Sequence, residues 1–92
     1  MKATLKPDFI LHNIAKEKVL LGAGEQVDFS QMLILNDTSA CIIAELQKKT
    51  STSEELVQRL LEEYDVSPQE AHSDVKELLF QLEKQGVIIL EF

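Results

Sequence analysis

His12, His72 and Cys41 are the side chains of this sequence best suited to acid–base, metal or nucleophilic chemistry, with sixteen carboxylates as further candidates. A metal site or a proton-transfer pair needs several such groups converging at short range. The spacing supplies no such set. His12 falls on an extended apolar segment and His72 on a helical one, and both read as solvated surface histidines. A single cysteine excludes an internal disulfide framework and a Cys-rich zinc site. Cys41 lies inside an apolar helical run and reads as a buried structural thiol. Gly22-Ala23-Gly24 follows an extended run, but the acidic Glu25-Gln26-Val27-Asp28 after it opens no helix. That pattern is a turn rather than a phosphate loop. No catalytic residue, metal or cofactor is expected, and the chain does not read as an enzyme.

The elements are organised around Leu35-Asn36-Asp37-Thr38-Ser39-Ala40-Cys41-Ile42-Ile43-Ala44-Glu45-Leu46. Met32-Leu33-Ile34-Leu35 is a short apolar run that reads as a strand. Asn36 and Asp37 are good helix caps, because a short side-chain oxygen can accept from a free N–H of the first turn. Ala40, Ile43 and Leu46, with Ile42 alongside, then fall at helical spacing. Upstream, Met1 to Pro7 reads as a loose lead-in. Phe9–Ile14 and Val19–Leu21 are strand candidates joined by the polar link Ala15–Lys18. Glu25 to Asp28 leads through Phe29 to the third strand at Met32–Leu35. The simplest arrangement is a three-stranded antiparallel meander with open edges.

The second half is more regular. Thr52-Ser53-Glu54-Glu55 is a capping box, followed by Leu56, Val57, Leu60, Leu61 and Tyr64 on one helical face. Ser67-Pro68 opens a third helix, with Pro68 where its missing N–H costs nothing. Its face is Ala71, Val75, Leu78, Leu79 and Leu82, and Gly86 is placed to end it. Val87-Ile88-Ile89-Leu90 is a last extended run able to pair with another strand. The reading is α+β: a three-stranded antiparallel sheet followed by a three-helix winged-helix-like bundle, in one domain over residues 1–92.

Charge placement narrows the partners. The net charge is −7. Residues 1–51 hold as many bases as acids, whereas residues 52–92 hold ten acids against Arg59, Lys76 and Lys84. Nucleic acid is disfavoured by such a surface, since affinity there comes largely from neutralising phosphates. No apolar run approaches membrane-spanning length and no signal-peptide pattern is present, so a cytoplasmic protein with no membrane partner is expected. Two features remain. Met32–Leu35 is either a strand buried on both faces or an edge that accepts an extended peptide. Phe80, at 100° per residue, lies opposite the core face of its helix. It is either a single exposed apolar side chain or a partner or dimer contact.

These residues resemble the PqqD-like family, small peptide-binding domains that act as recognition elements for ribosomally made, post-translationally modified peptides. The resemblance spans about Phe9 to Ile88. It is carried by Leu35-Asn36-x-Thr38-x-Ala40, by Thr52-x-Glu54-Glu55-Leu56, and by Leu61 and Glu63 leading to Tyr64-Asp65-Val66. Asp74-Val75-x-x-Leu78-Leu79-x-x-Leu82 followed by Gly86-Val87 completes it. The resemblance implies a non-catalytic chaperone that binds the leader segment of a precursor peptide and presents it to a modifying enzyme, commonly a radical SAM protein. The peptide is expected in the cleft between the third strand and the third helix, added to the sheet as a further strand. The backbone of Met32, Leu33, Ile34 and Leu35 would then carry the hydrogen bonds, with Val75, Lys76, Leu79 and Leu82 on the helix flank. Ile43 stands where many relatives have Trp, Gln47-Lys48 where they have Asp-Gly, and Phe80 where a small or polar residue is usual. The pathway, pyrroloquinoline quinone synthesis or another, therefore stays open.

Two readings from other classes stand beside this one. A winged-helix DNA-binding regulator would place the third helix in the major groove, where Glu70, Asp74, Glu77 and Glu83 would meet phosphates with net repulsion. A structural module would use its exposed strands or Phe80 to form a homodimer, including one made by strand exchange.

Overall fold

The computed structural model describes residues 1–22 and 32–92. Strand β2 (Phe9–Ile14) turns directly into β3 (Glu17–Gly22) through Ala15 and Lys16, whose φ angles are +51° and +70°. Two successive positive φ values match the twist of a tight hairpin. The link expected over Ala15–Lys18 is thus shorter, and Glu17 and Lys18 belong to β3, paired with Ile14 and Asn13. Strand β4 (Leu33–Leu35) pairs antiparallel with β3, Leu20 opposite Leu33 and Lys18 opposite Leu35. The meander order is β2-β3-β4, as expected. Of the turn expected at Gly22-Ala23-Gly24, only Gly22 is described. The stretch from Glu25 to Phe29 also lies outside the described residues.

Helix α1 (Asp37–Lys48) follows β4 immediately and buries Ala40, Ile42, Ile43 and Leu46. Its N-cap is Asn36. Strand β5 (Ser51–Thr52) leads into helix α2 (Ser53–Glu63). The capping box forms as its sequence predicts: Glu55 N–H donates to Thr52 Oγ1 at 3.1 Å, and Thr52 N–H donates to the Glu55 carboxylate at 3.1 Å. Helix α3 (Pro68–Lys84) is capped by Ser67 Oγ, which accepts from Glu70 N–H at 3.1 Å. At its other end Gly86 has φ +78°. Its N–H bonds to Glu83 O and that of Val87 to Leu82 O, at 3.0 and 2.9 Å. This is the paired closure that a left-handed residue makes at a helix end, and it turns the chain into strand β6 (Ile88–Glu91).

One expectation is overturned. Met1 to Pro7 is not a loose lead-in, because Lys2–Leu5 forms strand β1. It lies between β5 and β6 in a second three-stranded antiparallel sheet, with Ala3 opposite Leu90 and Leu5 opposite Ile88. Ala3 is 0% exposed. The partners of β1 come from the middle and the far end of the chain, so no local pattern announces it. Pro7 sits beyond the strand and leaves its ladder intact. One core joins both sheets to the helices: Ala3 and Leu20 meet Ile42, Ile43, Leu56, Leu60, Val75, Leu79 and Ile88.

Substituting Ala3→Leu should overpack the β1 contact and lower stability by about 1–3 kcal/mol, measured by urea denaturation. A loose lead-in would show no change. Glu55 offers a pH test. The Lys49 ammonium, 2.8 Å away, and the Thr52 N–H hold its carboxyl down at about 2. A carboxyl lowered on folding stabilises the native state above its unfolded value and loses that contribution as pH falls through its folded value. Stability should therefore decline between about pH 4.5 and pH 2. Glu55→Gln should flatten that part of the profile.

Candidate functional site

Strand β4 has β3 on one side and, among the described residues, no strand on the other. Leu33 and Leu35 are half-buried against the core, whereas Ile34 between them is 65% exposed. This alternation excludes a strand buried on both faces at Met32–Leu35. Leu33–Leu35 is a half-buried edge strand, with Met32 exposed just before it. Alternate N–H and C=O groups of an edge strand point outward, a template for one more strand.

The end of β4 borders a cleft of about 210 Å3. Asn36, Thr38 and Ser39 at the start of α1 form one wall, and Asp74, Glu77, Leu78 and Gln81 of α3 form the other. Ile42 and Leu60, both nearly fully buried, lie beneath. The walls follow from two local causes. The Asn36 side-chain oxygen accepts from Ser39 N–H at 2.8 Å and from the Thr38 hydroxyl at 3.0 Å, which fixes where β4 ends and α1 starts. On α3, positions 74, 77, 78 and 81 share a face by their spacing of three and four. The volume is below that typical of small-molecule and cofactor pockets and suits a side chain or two of a passing peptide.

The helix residues expected at this site are placed otherwise. Val75 and Leu79 are 0% exposed and Leu82 is 3% exposed, all three in the core. Their side chains present no surface to a peptide. Lys76 is exposed on another flank of α3, beside Met1, Ser53, Val57 and His72. Apolar periodicity picks out the stripe that faces the core, and the wall of the cleft is the polar stripe next to it. Leu78, half-buried at the border of the two, is the signal that could have located it. Phe80 points away from the core as its periodicity predicts, and its ring stacks on Phe92 with centroids 6.3 Å apart.

The other reactive side chains lie elsewhere. His12 and His72 are exposed on β2 and α3. Cys41 is half-buried rather than fully buried, and desolvation pushes its thiol up despite the opposing charge of Arg59. Arg59 on α2 contacts Glu45 of α1 at 3.0 Å through Nε, a charge contact without hydrogen-bond alignment. It also contacts Glu63 at 2.8 Å and Glu62 at 3.6 Å. Among the described residues no group of three His, Cys, Asp or Glu side chains could hold a metal ion, and no helix is long and apolar enough to cross a membrane.

Two solved structures share this fold. A chain described as lasso peptide synthetase B1 complexed with the leader peptide superposes with a TM-score of 0.72 at 26% identity, covering 96% of this chain and 98% of its own. A second, TbiB1 in complex with the TbiA(beta) leader peptide, has a TM-score of 0.77 at 19% identity, covering 97% and 98%. No curated protein matches the chain. The family profile of coenzyme PQQ synthesis protein D, PqqD, matches residues 17–88, from β3 to the start of β6. With most of its length inside that match, the chain belongs to the PqqD family.

Proposed function

We propose that this protein is a non-catalytic peptide chaperone. It binds the leader segment of a ribosomal precursor peptide as an added strand on β4 and presents it to a separate modifying enzyme. The observation that carries this reading is the open edge of β4, with Ile34 exposed, ending one residue before Asn36 on the wall of a cleft between α1 and α3. Natural proteins usually blunt such an edge with charge, proline or a bulge, and Met32-Leu33-Ile34-Leu35 has neither a charge nor a proline. Strand addition draws affinity from main-chain hydrogen bonds and specificity from the pockets beside them. The backbone of Met32, Leu33, Ile34 and Leu35 fills the first role. Asp74, Glu77, Leu78 and Gln81 take the second, in place of Val75, Lys76, Leu79 and Leu82.

The partner enzyme is a radical SAM protein on the family resemblance. One solved neighbour is described as lasso peptide synthetase B1, which supports a wider choice of modifying enzyme. The DNA-binding alternative is disfavoured, because Glu70, Asp74, Glu77 and Glu83 are all exposed on α3 and would face phosphates.

Titrating the labelled protein with the leader of a precursor peptide encoded beside it should shift the amides of Met32–Leu35 and of the Asp74–Gln81 side of α3. Hydrogen exchange at β4 should slow on binding. Gln81→Trp fills the cleft from an exposed position, so folding should be unchanged while affinity falls at least about tenfold, or about 1.4 kcal/mol. Binding that leaves β4 unshifted would remove strand addition from the mechanism.

A further inference from the structure

The cleft at the end of β4 has a mostly polar lining, acidic at its rim, with one accessible apolar side chain, Leu78. Leu78 is the half-buried apolar side chain of its wall, above the nearly fully buried Ile42 and Leu60, and Asp74 and Glu77 stand three residues apart on the same α3 wall. No lysine or arginine lines it. Among the described residues neither Asp74 nor Glu77 takes part in an ion pair, whereas Glu45, Glu55, Glu62 and Glu63 on α1 and α2 all meet Lys48, Lys49 or Arg59. The opposite wall adds no fixed cation, since the N–H of Ser39 is already engaged by Asn36.

We propose that the cleft selects a peptide segment carrying an arginine or lysine, its aliphatic stem over Leu78 and its charged head at Asp74 and Glu77. The proposal rests on the reading that a peptide pairs with β4. A long cationic side chain suits a site with one half-buried leucine beside an anionic rim, because it can lay its methylenes on Leu78 and keep its charge at the water boundary. The acids also discriminate against other segments. A neutral peptide laid across the rim would desolvate two carboxylates without compensation, and an acidic one would be repelled. Specificity of this kind comes as much from what is excluded as from what is held. Asp74 and Glu77 are specificity determinants here, and the β4 backbone remains the source of affinity.

The test is selection of short random peptides, displayed on their encoding RNA, against the full chain, followed by amide-shift mapping of each enriched peptide. Peptides that shift Leu33–Leu35 should carry arginine or lysine at one fixed position. Replacing that residue with the neutral isostere citrulline should weaken binding about three- to tenfold, as a partly screened ion pair would. Asp74→Asn with Glu77→Gln should weaken the cationic peptide equally and erase its advantage over the citrulline peptide, which should bind the variant at least as tightly as the wild type. Both side chains are exposed, so the variant should fold. As a second measurement, wild-type affinity for the cationic peptide should drop as salt rises. Peptides that shift β4 without basic enrichment, or cationic peptides that bind the variant as tightly, overturn the selectivity while leaving strand pairing in place. If no enriched peptide shifts β4, strand pairing itself fails, and the selectivity with it.

Discussion

The structure depends on the cap that Asn36 places between β4 and α1. One amide oxygen takes the Ser39 N–H and the Thr38 hydroxyl, while the Asn36 backbone stays extended with ψ 176°. A good N-cap contributes about 1 kcal/mol, but here it also sets geometry. It ends β4 at Leu35, so that Leu33 and Leu35 turn toward the core and Ile34 turns away. It starts α1 in the phase that sends Ile42 and Ile43 inward. A strand one residue longer would carry the backbone past the mouth of the cleft. One shifted by one residue would exchange its exposed and buried side chains. The edge and the wall are therefore positioned by the same few atoms.

A small protein that keeps an edge strand open must stabilise the rest of the sheet by other means. The second sheet does part of this. By pairing with both β5 and β6, β1 ties the start of the chain to the entry of α2 and to the exit of α3. Lys6 N–H bonds to Val87 O at 3.1 Å, and Ser53 N–H to Met1 O at 2.9 Å. The caps at Thr52 and Gly86 fix those same helix ends, so the frame is closed by hydrogen bonds at both. The edge of β4 is one of four in the two sheets, β2, β5 and β6 being the others, and it is the one that leads directly into α1.

Legibility in the sequence followed the range of the interactions. All three helix caps and the Gly86 stop were readable, because each is a contact within a few residues. The meander was readable from its apolar runs, although its hairpin turn was not: Ala15 and Lys16 hold positive φ without the usual Gly or Asn. Strand β1 was hidden because Lys2-Ala3-Thr4-Leu5 is only weakly apolar and its partners are distant. In the candidate site, the strand could be named but not its sidedness, which β3 and α1 decide. The helix flank expected from the sequence lies in the core for a related reason. Periodicity reports the core, and Val75, Leu79 and Leu82 are what it reported. A binding wall on the same helix must be sought among the polar residues bordering that stripe.

The distribution of cations joins these points. Arg59 reaches across from α2 to Glu45 on α1, and Lys48 and Lys49 take Glu45 and Glu55. Of these, Arg59 and Lys49 tie α1 and its C-cap to α2, whereas Lys48–Glu45 lies within α1. Lys76 and Lys84 on α3 enter no ion pair among the described residues, and Lys76 lies on the flank beside Met1 and His72. The sequence surplus of acid over residues 52–92 is therefore not spread evenly over the fold. Glu55, Glu62 and Glu63 of α2 meet Lys49 or Arg59, whereas the acids of α3, Asp74 and Glu77 at the cleft among them, enter no ion pair among the described residues. That asymmetry repels a polyanion from α3 and leaves the open strand edge beside a negative wall.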